Sequence, residues 1–169
     1  MLGVVLDLDR TLVHTTCTRK HAYTSFTVLK DSAYAHVRPY AKELLRTLAH
    51  NPGVVLMIWT AGEAEYAADV VEGLCKTCEL ALTDFALVLS RADTFVVPTM
   101  NAFIKDLDVV RRALHNTMPV VLVDDDPVHT YVVANQGCVM SVPPFVADDM
   151  HITDHTLLEV LVWVEAAAL

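Results

Sequence analysis

Apolar runs rich in Val, Leu and Ile recur along the chain at residues 3–8 (GVVLDL), 53–59 (GVVLMIW), 85–89 (FALVL), 119–124 (PVVLVD) and 138–142 (CVMSV). Runs that do not alternate with polar residues predict strands buried on both faces, as in a parallel sheet. Between them the period lengthens. RPYAKELLRTLAHN (38–51) puts Leu44, Leu45 and Leu48 on one helical face, with Pro39 suited to a first turn and Asn-Pro-Gly at 51–53 as a stop. EAEYAADVVEGLCKTC (63–78) and IKDLDVVRRALHN (104–116) predict two further helices. DPVHTYVVANQG (126–137) predicts another, with Asp126 as its cap, Pro127 at its first position and Gly137 past its end. This alternation predicts a doubly wound α/β domain over residues 1–169. Residues 14–37 fit no such unit, and AYTSFTVL within them predicts a strand of a small hairpin or flap after the first strand. The last stretch, TDHTLLEVLVWVEAAAL, predicts a helix whose apolar residues spread beyond one stripe. One face packs on the sheet; the surplus is surface that a second copy could cover, which leaves the oligomeric state open.

Composition narrows the function classes. With 169 residues, 54% hydrophobic and 20% charged, the chain is long enough for one sizeable core. A formal net charge of −9 argues against direct nucleic-acid binding, which needs a basic surface for phosphates. No apolar run reaches the ~20 residues that a membrane span requires. The four cysteines follow no disulfide framework and no leader pattern opens the chain, so the expectation is a soluble, intracellular protein, with cytoplasm or nucleus left open.

In a parallel α/β sheet the ligand site lies beyond the carboxyl ends of the strands, where residues from different strands meet. The first strand ends in Asp7-Leu8-Asp9, the second in Trp59-Thr60-Ala61-Gly62 and the fourth in Asp124-Asp125-Asp126, while IKDL brings Lys105 from the start of a helix. So many carboxylates in one crevice repel one another unless a cation sits among them, and a hard, oxygen-rich site suits Mg²⁺. A hydroxyl and a lysine beside that metal make a site for a phosphoryl group.

DLDRTL matches the DxDxT motif of the haloacid dehalogenase superfamily at Asp7, Asp9 and Thr11. Within that superfamily the chain resembles the small phosphatases acting on the C-terminal domain of RNA polymerase II, also called NLI-interacting-factor-like phosphatases. LDLDRTLVHTT is similar to their DLDETLVHS, VRPYAKELL to RPxxxEFL, IWTAGEAEYAADV to FTASxxxYADPV, FIKDL to YxKDL, and LVDDDP to LDNSP or DDSP. VPPFVADDMHITDHTLLEVL resembles their PxxxWxxDxxDxELLxLL, so the likeness runs through nearly the whole chain. It implies a Rossmann-like, haloacid-dehalogenase-type sheet with a small flap and no large cap. It further implies a Mg²⁺-dependent phosphatase for phosphoserine or phosphothreonine in proteins or peptides.

By position the resemblance implies that Asp7 is the nucleophile that becomes an aspartyl-phosphate, and Asp9 the general acid and base. Thr60 then binds the phosphoryl oxygens and Lys105 neutralises them. Asp7, Asp124 and the Asp9 backbone carbonyl hold Mg²⁺, with Asp125 bound through water or orienting Lys105. Thr11 stabilises the turn and Asp126 caps a helix. Arg10, where the family usually has glutamate or glycine, is a candidate for contacting an acidic or phosphorylated substrate. Arg38 is a candidate substrate anchor, against the alternative of pairing with a carboxylate to fix the flap, and Arg91 in LSRAD is similar to the arginine of the family's FRxxC stretch. Cys75 and Cys78 lack the second ligand pair of a zinc site and read as small core residues. A nucleotide or small-molecule phosphatase, a receiver-like signalling domain and a phosphoprotein-binding pseudoenzyme stand as alternatives.

Overall fold

The computed structural model describes residues 1–100, 102–132, 135–148 and 152–168. The elements in chain order are β1 (Leu2–Leu6), β2 (Val13–Thr16), β3 (Ser25–Val28), β4 (Ala33–Val37), α1 (Ala41–His50), β5 (Val54–Trp59) and α2 (Ala64–Cys78). They continue with β6 (Leu87–Leu89), β7 (Phe95–Val97), β8 (Ala102–Ile104), α3 (Leu107–Ala113), β9 (Val120–Asp124), β10 (Val139–Ser141) and α4 (Thr156–Ala167). The five predicted strands form one parallel sheet in the order β10-β9-β1-β5-β6. Unbroken hydrophobicity follows from burial on both faces. Val4, Leu6, Leu56, Ile58, Val121 and Val123 share a core with α1, α2 and α4, whereas Val5, Met57, Trp59, Val120 and Leu122 pack with Leu107 and Val110 of α3. Alternate residues of a strand point to opposite faces, and here both faces are apolar.

The flap is a three-stranded antiparallel sheet, β2-β4-β3, rather than a two-stranded hairpin. It leans on α2: a Cβ built on Gly73 would stand 2.2 Å from the Phe26 ring, so only a glycine lets β3 lie this close. The Leu29 N–H also donates to Asp69 at 2.8 Å. Cys75 and Cys78 are buried on α2, and burial pushes the Cys78 thiol up to about 11.

Three details differ from the pattern in the sequence. α1 begins at Ala41, because Tyr40 takes a left-handed conformation with φ 65° and leaves Pro39 outside the first turn. No α-helix appears over 126–137 among the described residues. Residues 127–130 form a turn in which Asp126 accepts the Val128 N–H at 2.8 Å, and the carbonyls of His129 and Thr130 accept from Lys105 and Asn135. Thirdly, a short antiparallel pair, β7 with β8, precedes α3. Its brevity, three residues a strand, hides it from periodicity.

α4 buries Leu157, Val160 and Val164 and leaves Val162 and Trp163 exposed. No described helix is long and apolar enough to cross a membrane.

Candidate active site

The strand order reverses at β1, which pairs with β5 on one side and β9 on the other, and this is the place where doubly wound sheets open a crevice. Leu6 lies opposite Val123, so β1 and β9 deliver Asp7 and Asp124 abreast, and the Asp7 N–H donates to the Val123 carbonyl at 3.0 Å. Both carboxylates are buried. Beneath them Lys105, with no exposed surface, donates to Asp7 Oδ1 at 2.5 Å and to Asp124 Oδ2 at 2.6 Å. Burial opposes the lysine's charge, but Asp7 and Asp124 outweigh it and raise its pKa. Burial pushes the Asp7 carboxyl up to about 8; Lys105 pulls it back, while the charges of Asp124 and Asp9 add to the rise. Asp125 is also raised, by burial first and Asp124 next, with Arg10 opposing.

Carboxylate oxygens of Asp7, Asp124 and Asp125 lie within 4.8 Å of one another. Three carboxylates face one ammonium, so the pocket carries an excess of negative charge where water screens it poorly. Such a set of hard oxygen donors fits a divalent cation of the Mg²⁺ type. A cation there would draw Asp7 back to its ionised form.

Lys105 does not sit on a helix, as its sequence context suggests, but in the junction between β8 and α3, where Asp106 caps the helix by accepting the Asp108 N–H. Its backbone is clamped on both sides. The Lys105 N–H donates to the His129 carbonyl at 2.7 Å, and its carbonyl accepts from buried Asn135 at 2.6 Å. Asn135 also accepts the Leu107 N–H at 2.9 Å, so one amide joins the 127–135 segment to the start of α3.

After β1 the chain turns sharply. The Leu8 carbonyl accepts from the N–H groups of Thr11, Leu12 and Val13, and Arg10 takes a left-handed conformation with φ 61°. The turn returns Asp9 to the crevice. Its Oδ1 accepts from the Tyr66 hydroxyl and its Oδ2 from Thr60 Oγ1 at 3.3 Å. Thr60, at the end of β5, accepts the Gly62 N–H at 2.9 Å. A Cβ on Gly62 would come within 2.7 Å of the Tyr66 ring, so the bare glycine admits the phenol. Thr15 of the flap lies 2.8 Å from the Tyr66 oxygen and, since that phenol donates to Asp9, Thr15 is the donor to it. Burial and then Asp9 raise the Tyr66 pKa, keeping the phenol protonated. Thr11 holds the turn by its backbone only; its buried hydroxyl has no hydrogen-bond partner among the described residues.

Asp7, Asp9, Thr60 and Asp125 line a cavity of about 360 Å³, with Arg10 and Arg91 on its walls. Lys105 and Asp124 are buried and do not themselves line it. Arg38 is not on the cavity wall: it is 2% exposed and donates to Asp154 at 2.7 Å, to the Thr11 carbonyl at 3.2 Å and to the Pro143 carbonyl at 3.0 Å. Of the two readings open for it, substrate anchor or carboxylate pair, Arg38 takes the second, and it joins the first turn to the segment before α4 and not to the flap alone. Arg91 donates to the Ala61 carbonyl at 2.8 Å and to Glu63 at 2.5 Å, and its guanidinium lies 4.6 Å from the Phe103 ring centre. Asp126 caps the turn at 127–130 instead of a helix.

Tyr66, Asn135, Phe103 and His129 also belong to this neighbourhood; Tyr66 and Phe103 stand at the tyrosine positions of the YADPV-like and YxKDL-like stretches, which is their one signal, whereas Asn135 and His129 have none. By periodicity Tyr66 reads as one more residue of an amphipathic helix, and Asn135 acts only through a turn that periodicity misreads as helix.

Two solved structures with the same haloacid-dehalogenase-type fold are similar over 98% of this chain. One is fission yeast RNA polymerase II CTD phosphatase Fcp1, a variant bound to beryllium fluoride, at 17% identity and TM-score 0.57 over 52% of that chain. The other is described as Fcp1, an essential RNA polymerase II CTD phosphatase, at 19% identity and TM-score 0.57 over 50% of that chain. The present chain thus spans about half the length of either. Comparison with curated protein sequences gives no significant match. The family model of NLI interacting factor-like phosphatases matches residues 2–168, and the chain belongs to that family of phosphatases.

Proposed function

We propose that residues 1–169 act as one Mg²⁺-dependent catalytic unit that hydrolyses phosphoserine or phosphothreonine in proteins or peptides through a phosphoaspartate at Asp7. The observation that carries this reading is the buried Lys105 bridging Asp7 and Asp124, with Asp9 turned into the same cavity. A carboxylate oxygen of Asp7 attacks phosphorus, and the seryl or threonyl oxygen leaves with a proton from Asp9. Asp9 then takes a proton from water, which attacks the phosphoaspartate; inorganic phosphate departs and the Asp7 carboxylate is restored. The two-residue spacing matters because both side chains must reach one phosphorus from a single turn. Lys105 and Thr60 offset the charge that spreads over the phosphoryl oxygens. Asp7, Asp124 and the Asp9 carbonyl would hold Mg²⁺, with Asp125 bound through water or orienting Lys105, and the ion's charge would further neutralise those oxygens.

A peptide suits the cleft better than a small metabolite. Between β5 and β9 the chain spends its residues on α2, β6, the β7–β8 pair and α3, and no described lid domain closes over the cavity. The two similar structures are RNA polymerase II CTD phosphatases, and beryllium fluoride, bound in one, imitates a phosphoryl group. The decisive experiment is a panel of phosphopeptides, nucleotides and sugar phosphates, with Mg²⁺ and with the metal chelated. Phosphopeptides should be turned over fastest, and only with metal. Faster turnover of nucleotides would overturn the substrate class, and activity after chelation would overturn the mechanism.

A further inference from the structure

Three arginines surround the first turn and the cavity, and they differ in how much of their donor capacity is spent. Arg38 is buried with all three nitrogens engaged. Arg91 gives its Nε to the Ala61 carbonyl and an Nη to Glu63. Arg10 is about half exposed, and its one charged contact is an ion pair to Asp125 at 3.8 Å, too long for a hydrogen bond. Among the described contacts its guanidinium donates no hydrogen bond, so its N–H donors are uncommitted on a residue that lines the cavity with Asp7.

The backbone beneath this side chain is fixed. The Arg10 N–H donates to the Val13 carbonyl and its own carbonyl accepts from the Phe145 N–H, each at 2.6 Å. Between these bonds the residue keeps φ at 61°, a conformation disfavoured for a side chain with a Cβ and found where surrounding structure imposes it. A glycine would relieve that strain, yet the position carries a long cation. Arg10 follows Asp9 directly and lines the cavity with both proposed catalytic aspartates, on a chain with net charge −9, where a guanidinium that donates no hydrogen bond is the natural receptor for an anion.

We propose that Arg10 is the specificity residue for a second anion on the substrate, a phosphate or carboxylate flanking the scissile phosphate. This deepens the reading of the cavity as a phosphopeptide phosphatase site and rests on it. The scissile phosphate already has Lys105, Thr60 and the cation that the carboxylates would hold; the flanking group would replace Asp125 as the partner of Arg10.

The test compares three phosphoserine peptides of one sequence, with neutral flanks, with a flanking glutamate, and with a flanking second phosphoserine. For the unsubstituted enzyme, kcat/KM should be about tenfold higher for the better anionic peptide than for the neutral one. Arg10→Gln should bring that ratio close to one, and Arg10→Glu should invert it. The glutamate and phosphoserine arms show which anion is preferred. A ratio unchanged in Arg10→Gln overturns the proposal, including the case in which all three peptides slow equally, since Arg10 would then serve the scissile phosphate or the fold. Binding of the same peptides by calorimetry, in an Asp9→Asn background with and without Arg10→Gln, reads the ratio without turnover. Absence of hydrolysis of any peptide by the unsubstituted enzyme would sink the phosphopeptide reading, while equal binding of neutral and anionic peptides would sink the role of Arg10.

Discussion

Replacing Lys105 by Met keeps the length of the side chain and removes its charge from between two buried carboxylates. The ammonium lies 2.5 Å from Asp7 and 2.6 Å from Asp124. At an effective dielectric of about 20, each contact carries roughly 6–7 kcal/mol of gross attraction. Desolvation of three ions cancels much of that sum, so the net loss on breaking the cluster should be that of a broken buried ion pair, about 3–5 kcal/mol. This is a large part of the ~5–15 kcal/mol that holds an ordinary domain together. Urea unfolding of both proteins above pH 8, where Asp7 is ionised, first with metal chelated and then with Mg²⁺, measures it. Mg²⁺ should stabilise Lys105→Met more than the parent, because the cation then meets carboxylates that no ammonium neutralises. Phosphopeptide turnover should fall about 10²–10³-fold even with metal, as expected when one charge-stabilising donor leaves a transition state. A metal-free loss below about 1 kcal/mol would refute the reasoning, for it would mean that water already screens the pair.

Two further outcomes follow from the same geometry. Asp7 titrates near 8 in the fold against an ordinary 3.8, because of burial, so below 3.8 folded and unfolded states both hold its proton and nothing is lost. As pH rises from there toward 8 only the unfolded state gives up that proton, and the metal-free protein should lose stability relative to Asp7→Asn by up to about 1.4 kcal/mol per pH unit. Mg²⁺ should flatten the difference, and parallel curves for the two proteins in chelator would contradict it. Tyr66→Phe removes the phenol that holds Asp9 and should lower kcat on phosphoserine peptides about tenfold or more with little change in KM. An activated aryl phosphate, whose leaving group needs no proton, should suffer less; equal losses on both substrates would remove the positioning role.

Much of the sheet could be read from the chain because the strands are buried on both faces and say so in unbroken Val, Leu and Ile. Asp7 and Asp124 were legible for the same reason: a carboxylate directly after such a run has to stand at a strand's carboxyl end. The 126–137 segment defeats that logic. Asp126, Pro127 and Gly137 are good helix punctuation, yet the His129 carbonyl accepts from Lys105, and Asn135 bonds the carbonyls of both Thr130 and Lys105. Local propensity lost to contacts across some thirty residues, which no periodicity records. Arg38 is the opposite case. Its sequence context permits either a substrate anchor or a carboxylate pair, and only Asp154, more than a hundred residues away, decides between them.

The position of Lys105 shows how the two kinds of information combine. The likeness of FIKDL to YxKDL brings Lys105 to the site, but without it a lysine at the start of a helix most simply points to water. The residue is forced inward by three constraints of different origin. β8 delivers it buried, Asp106 caps α3 immediately after it, and the turn at 127–130 takes its N–H. With its backbone held on both sides, the four-carbon stem can run only toward the gap between β1 and β9. That gap is lined by carboxylates because Leu6 and Val123 are in register. The ammonium is therefore fixed by the sheet register and by the loop after β9 together, and a change in the loop should misplace it without touching any acidic residue. Asn135→Ala, which removes the amide joining Lys105, Leu107 and Thr130, is expected to act at a distance on the same charge cluster that Lys105→Met destroys directly.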